Sequence, residues 1–342
     1  MRTLRREAGQ TAAEYLGALL IVSVLIAGVA TTDVGRAIRH ETVRLVCVIA
    51  GGTSCDAEST RINAAQDRAE RKAEDDLHGD RRIYTAGKTD DIPGKVVRVN
   101  GDGPSGNGEA DAVFDNFGAI YDYYMHNFAR SSYDGNGAPL IATIDYRQDP
   151  DSPFQNAYWD PERKQMVFGE GFAQPLDVTA HEVTHAITER ASHLNYQGES
   201  GALNESISDI FGSNLDPDDW LIGEDLPGGA IRDMAHPERY GQPGNVKDYV
   251  KTGDDNGGVH TNSGIPNKAY VNMVGAIGRD ASQQIVYATL TKDLQSDSGF
   301  EDFRAGCLKE AAAKYGKDSP QYKGVDKAFR DVGLDGKWRA PS

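Results

Sequence analysis

Two histidines four residues apart, His181 and His185, enclose Glu182 in the run His181-Glu182-Val183-Thr184-His185. Glu205 follows in the run Asn204-Glu205-Ser206-Ile207-Ser208-Asp209. Positions i and i+4 of an α-helix share one face, so both imidazoles can reach the same ion. A second helix that brought in Glu205 would complete a set of two imidazoles and one carboxylate. Such a set leaves a coordination position open, which is the layout of catalytic zinc sites. Structural zinc sites fill all four positions with protein ligands. Glu182, beside the first ligand, is free to act as general base on a metal-bound water. The five-residue motif alone is a weak signal, so the elements around it decide its meaning.

Those elements are legible in outline. Apolar residues alternate with the histidines at helical spacing from Leu176 to Thr188. Asp209 stands four residues after Glu205, on the same helical face, and the neighbours Ile207, Ile210 and Phe211 predict a mostly buried helix. A buried unpaired carboxylate is costly, so Asp209 should have a partner. Upstream, a helical pattern from Ala112 to Tyr123 leads to the turn Asp134-Gly135-Asn136-Gly137. Leu140–Tyr146, Asn156–Trp159 and Gln165–Gly169 read as strands. Gly, Pro and Asn break the chain repeatedly between Gly94 and Gly108 and mark loops. Downstream, glycines in Asp255-Asn256-Gly257-Gly258-Val259-His260 should let a loop carry His260 into a cleft. Helical periodicity then runs from Ala269 to Leu334.

From about Arg81 to residue 337 these separated blocks together resemble the thermolysin-like family of zinc metallopeptidases, in its compact bacterial form. The resemblance implies an α+β fold of two lobes: a β-rich N-terminal lobe over 81–190 ending in the active-site helix, and a helical C-terminal lobe over 191–338. It implies a metalloendopeptidase acting on a polypeptide substrate, with Zn2+ held by His181, His185 and Glu205. Asp209 would accept a hydrogen bond from His181, the role that fixes a ligand's tautomer and orientation. Glu182 would be the general base, Tyr196 and His260 would hold the oxyanion, and Asp255 would orient His260. Asn156 and the carbonyl of Ala157 would bind the substrate backbone, and Arg232 a substrate carbonyl. Phe172, Val178 and Ile231 would line the pocket after the scissile bond, which predicts cleavage before bulky hydrophobic residues. Asp177, Asp216, Asp219 and Glu224 match the family's acidic calcium cluster, and carboxylate-rich sets suit Ca2+. One such site is expected. The alternative from another class is a minor pilin or adhesive subunit that uses the lobe as an inactive scaffold. A scaffold needs none of Glu182, Glu205, Tyr196 and His260.

A formal net charge of −16 over 342 residues argues against a nucleic-acid partner. The remaining histidines, His40, His78, His126, His193 and His236, lack partners at ligand spacing and read as surface or packing residues. Cys47 and Cys55 bracket a Gly-Gly turn and either close a small disulfide loop outside the cytoplasm or stay as two thiols. Cys307 lies in a helical pattern and reads as a small buried apolar residue.

The N-terminus is an address. Arg2, Arg5 and Arg6 precede the apolar run Leu16–Ala30, which is short for the roughly 20 residues of a membrane span. Glu14 directly before that run, in Gly9-Gln10-Thr11-Ala12-Ala13-Glu14-Tyr15, resembles the leader of Flp-type type IV pilins. That resemblance makes 1–32 a leader and apolar anchor helix, and implies removal of residues 1–9 by a prepilin peptidase with retention of the helix. The protein would then be extracytoplasmic, held in the membrane or packed with pilus or secretion machinery. Cleavage of an ordinary signal after Gly28-Val29-Ala30 would instead give a secreted protein. Residues 33–80 are expected to form the cysteine loop and an exposed charged helical stalk, since no broad apolar stripe runs through 56–80.

Overall fold

The computed structural model describes residues 42–48 and 55–341. The leader motif and the apolar run lie outside those residues. Among the described residues no helix is long and apolar enough to cross a membrane. Contacts divide the chain between Ala73 and Glu74 into two compact units.

In the first unit, residues 42–48 are helical. A disulfide joins Cys47 to Cys55, which settles the pairing that the sequence leaves open. Helix α1, Cys55–Leu77, continues from that bond. It is mostly exposed, as its charge pattern predicts.

The second unit holds the remaining architecture. Its sheet contains β1 (Arg81–Thr85), β2 (Lys95–Val99), β3 (Leu140–Ile144), β4 (Ala157–Asp160) and β5 (Gln165–Phe168), in the order β2-β1-β3-β5-β4. The β1–β3 and β3–β5 pairs are parallel and the two outer pairs antiparallel. Strand β2 corrects the sequence reading, which ran loops from Gly94 to Gly108. Val96, Val97 and Val99 are β-branched and suit a pleated edge, and this outweighs the breakers on either side. Helix α2, Gly108–Phe128, lies against the sheet and buries Val113, Phe114, Phe117 and Ile120. Asn107 caps it by accepting from the backbone N–H groups of Glu109 and Ala110.

Helix α3, Leu176–Ala191, carries the histidines, and α4, Gly198–Leu215, carries Glu205. Both are buried on nearly every side, so their polar residues must find partners inside the protein. The two helices approach closely because Gly212 has no side chain: a Cβ there would lie 2.8 Å from the Asp177 carbonyl oxygen. Beyond α4 come the short ribbon β6 (Leu221–Ile222) with β7 (Arg232–Asp233), and then α5 (Asp255–Asn262). Helices α6 (Gly264–Ile277), α7 (Arg279–Lys292), α8 (Phe300–Tyr315) and α9 (Pro320–Asp331) complete the helical lobe. Phe300, Phe303, Cys307 and Phe329 are buried there. Cys307 is the small apolar residue that the helical pattern suggests, its thiol 3.6 Å from the Thr289 hydroxyl.

Candidate metal centre

Helical spacing sets His181 above His185 on the face of α3 that meets α4. Their Nε2 atoms lie 3.0 Å apart. Glu205 Oε2 is 3.4 Å from His181 Nε2, and Glu205 Oε1 is 3.4 Å from His185 Nε2. One ligand atom from each residue falls within 4.8 Å of the other two, the one such set of three among the described residues.

The outer atoms of the imidazoles are committed elsewhere. His181 Nδ1 is 2.9 Å from Asp209 Oδ1, and His185 Nδ1 is 2.8 Å from Asn204 Oδ1. Both acceptors require a proton on Nδ1, so both Nε2 atoms present lone pairs toward the same point, beside a carboxylate. Lone pairs 3.0 Å apart repel unless a positive charge lies between them. Glu205 Oε2 is buried and has no hydrogen-bond partner, another acceptor left facing that point. The donor set therefore fits a divalent cation.

Electrostatics agree. Burial works against a charged His181, but the Asp209 and Glu205 carboxylates beside it push it up to about 10. Burial pushes His185 down to about 4. Burial would raise Glu205, yet His185 and His181 hold it well below the usual carboxylate range. The centre is arranged to hold positive charge among buried acceptors.

Asp209 does more than the sequence suggests. It is fully buried and also accepts from Arg232, through Nε at 2.8 Å and Nη2 at 2.6 Å, and from Asn267 Nδ2 at 2.8 Å. Burial alone would raise its carboxyl, but the Arg232 guanidinium and His181 bring it to about 2. Arg232 thus anchors Asp209 while it lines the cleft. Asn204 and Asn267 were missed in the sequence. The signal for Asn204 is the second histidine itself: a ligating imidazole needs a partner for its other nitrogen, and Asn204 is the one His185 finds.

The cleft at this centre has a volume of about 680 Å³. Glu182, Tyr196, His260, Asn156, Ala157, Phe172, Val178, Ile231 and Arg232 all line it, with the three converging residues. Glu182 is buried, and burial raises its carboxyl to about 7. The Tyr196 hydroxyl donates to Glu205 Oε1 and lies 3.2 Å from His260 Nε2. Burial and the Glu205 charge push the phenol pKa up, so it stays a donor. His260 follows the expected glycine turn and sits on the helical turn of α5 that comes directly after it. Asn256, Gly257 and Gly258 all adopt left-handed backbone at its start. Asp255 accepts from His260 Nδ1 at 2.7 Å and from the His260 backbone N–H at 2.9 Å. Asn156 and Ala157 lead into β4, the edge strand of the sheet. His193, read as an ordinary surface residue, is exposed but lies on the cleft wall, with a left-handed φ of 55°.

The acidic residues Asp177, Asp216, Asp219 and Glu224 lie close enough to disturb one another. Burial raises Asp177, Asp216 and Glu224, and repulsion within the group raises them further. Glu224 Oε2 is buried without a hydrogen-bond partner. Asp177 accepts from the backbone N–H groups of Gly223 and Val178. Their oxygens do not converge as the histidines and Glu205 do.

Comparison with known proteins agrees with this geometry. The family model described as "Thermolysin metallopeptidase, catalytic domain" matches residues 50–189, and that described as "Thermolysin metallopeptidase, alpha-helical domain" matches 192–334. A neutral protease, NprE, of Bacillus pumilus is 41% identical over 232 residues, which span 64% of this chain and 75% of that protein. This chain belongs to the thermolysin metallopeptidase family. An extracellular elastase of Staphylococcus epidermidis is 43% identical over 228 residues, 63% of this chain and 44% of that relative. The chain thus spans less than half the length of that thermolysin-family protein. The structure titled as the precursor of protealysin, a metalloproteinase from Serratia proteamaculans, aligns with a TM-score of 0.68 at 35% identity, over 75% of this chain and 88% of that one. The family match begins at residue 50, earlier than the Arg81 at which the motifs first become legible.

Proposed function

We infer that the chain is a zinc-dependent endopeptidase. The observation that carries this reading is the convergence of His181 Nε2, His185 Nε2 and Glu205 on one point, with both Nδ1 atoms already committed. Two imidazoles and one carboxylate suit zinc with a position left for water or substrate. When bound, zinc supplies Lewis acidity that polarises a carbonyl and makes water nucleophilic near neutral pH.

The chain's own residues account for the remaining chemistry. Glu182 takes the proton as water attacks the peptide carbonyl and returns it to the leaving amine. Its carboxyl near 7 suits that exchange. Tyr196 donates its hydroxyl to the developing oxyanion. Asp255 holds His260 through Nδ1 and so orients its Nε2 toward the same oxygen. Asn156, Ala157 and Arg232 align the substrate backbone along the cleft. Phe172, Val178 and Ile231 form an apolar wall that favours a bulky hydrophobic residue after the scissile bond. A peptide-library profile dominated by charged residues at that position would remove this preference.

One calcium ion among Asp177, Asp216, Asp219 and Glu224 completes the reading, supported by their mutual repulsion and the unpartnered Glu224 oxygen. The likeness to an extracellular elastase supports export, and the sequence around Glu14 supports a pilin-like leader. Mass spectrometry of the mature protein decides the address: a start at Gln10 supports tethering, a start near Thr31 secretion.

The peptidase reading is tested by digestion of an unfolded protein substrate. Zinc-loaded protein should cleave it, while metal-stripped protein and Glu182→Ala should not. A folded, zinc-loaded protein without activity would return weight to the scaffold alternative.

A further inference from the structure

The cleft is chemically lopsided along α3. Val178 precedes the histidines by about one turn, beside Phe172 and Ile231. Glu189 follows them by one turn on the same face, since His181, His185 and Glu189 are spaced by four. At about 1.5 Å per residue, Val178 and Glu189 stand roughly 16 Å apart on opposite sides of the metal centre. Both line the cleft.

Glu189 is a half-buried carboxylate on that wall. Its Oε2 accepts the indole N–H of Trp159 at 2.5 Å, which ties the end of α3 to the edge strand β4. The Trp159 ring is itself held against Tyr133, with centroids 5.1 Å apart. The carboxylate is therefore fixed in place. Among the described residues no lysine, arginine or histidine lies within ion-pair distance of it, although Arg190 is its neighbour in sequence. At the metal centre Asp209 is matched by Arg232 and Glu205 by the histidines, and the unpaired Glu182 is the general base. Glu189 is an anchored negative charge facing a substrate groove without a counter-charge.

We propose that Glu189 is a specificity-determining residue that selects a cationic side chain, Lys or Arg, at one of the two positions on the amino side of the scissile bond. This rests on the peptidase reading, in which the Val178 end receives the residue after that bond. A guanidinium or ammonium there gains a fixed carboxylate and the apolar flank of Trp159. The groove then asks for a basic residue before the cut and a bulky apolar residue after it.

The test uses matched peptides that carry Arg, Gln or Glu at those two positions in turn, assayed with the zinc-loaded full chain at pH 8. At one of the positions kcat/KM should be about fivefold higher for Arg than for Gln, and lowest for Glu. Raising salt from about 0.05 to 0.5 M should erase most of that ratio, because the charge is partly solvated. Glu189→Gln keeps an oxygen for the Trp159 N–H and should bring the Arg/Gln ratio to about one, with the Gln peptide changed less than twofold. Equal rates for Arg and Gln, or a preference that survives both salt and Glu189→Gln, overturns the proposal. Should no peptide be cleaved, the peptidase reading fails separately. Kd values for the same peptides on zinc-loaded Glu182→Ala then decide the Glu189 site, which is overturned by equal affinities or by no binding.

Discussion

Two groups of acidic residues lie at the same pair of helices, one within them and one at their edge, and behave in opposite ways. At the metal centre, Glu205 and Asp209 are buried deeply yet held low, Asp209 to about 2, because Arg232 and the histidines face them. One turn before His181, Asp177 is almost as buried, but its neighbours are Asp216, Asp219 and Glu224, and its carboxyl is raised. The first group carries its counter-charges and hydrogen bonds within the fold, so its ligand atoms already converge. The second has backbone amides instead, two on Asp177 and one on Asp219, and its oxygens stay apart. A buried carboxylate is costly unless paired. One site is therefore built in advance, and the other is completed by the cation it would bind.

That contrast can be broken at several points. The largest effect should come from Glu182, the metal-centre carboxylate outside both groups, raised to about 7 and meant to exchange a proton. Glu182→Gln should lower kcat by several powers of ten with zinc content unchanged, which kinetics and metal analysis on one sample would show. Retained activity would take the base role from it. Next come the donors on the opposite wall. Tyr196→Phe or His260→Ala should each cost about 10²–10³ in kcat, with KM moved far less. A change confined to KM would make them binding residues.

Asp209→Asn probes the built-in counter-charge directly. It leaves Arg232 and His181 facing a neutral amide, and zinc affinity in a competitive chelator titration should fall by about 10–100-fold. The acidic cluster should respond to calcium instead. Millimolar calcium, with zinc held constant, should raise Tm by roughly 5–10 °C, and Asp216→Asn should abolish most of that rise. A Tm indifferent to calcium would leave the cluster as a solvated acidic surface.

The smallest effect concerns a third kind of carboxylate. Glu109 accepts the backbone N–H groups of Gly171 (2.9 Å) and Ala173 (3.2 Å), and burial raises it to about 6. Its folded value lies above its ordinary one, so its contribution to stability is complete below about 4.5 and is lost as pH rises through about 6. Denaturant midpoints of the wild type should drift down between pH 5 and 7, and those of Glu109→Gln should drift less. Parallel profiles would contradict the shift.

The sequence made the metal centre legible because its residues obey local rules. His181, Glu182 and His185 lie within one helix, and Asp209 lies four residues from Glu205, so helical period alone predicts their shared faces. Partners from distant segments were harder. Asn267 reaches Asp209 across 58 residues, and Glu189 meets Trp159 across 30, with no period to announce either. Strand β2 is hidden between turn formers, because its three valines suit a strand only once β1 is there to pair with them. The left-handed entry into α5 was half visible: Gly257 and Gly258 signalled unusual backbone, but that a helical turn follows depends on packing.

The account stands most directly on one titration. Metal is stripped from the full chain, zinc is added back in steps, and bound zinc and hydrolysis of an unfolded protein are read on the same samples. Activity should rise linearly and stop at one zinc per chain, with His185→Ala folded but unable to follow. Activity in the stripped protein, or full zinc uptake and activity in His185→Ala, would contradict the claim that His181, His185 and Glu205 form the catalytic centre.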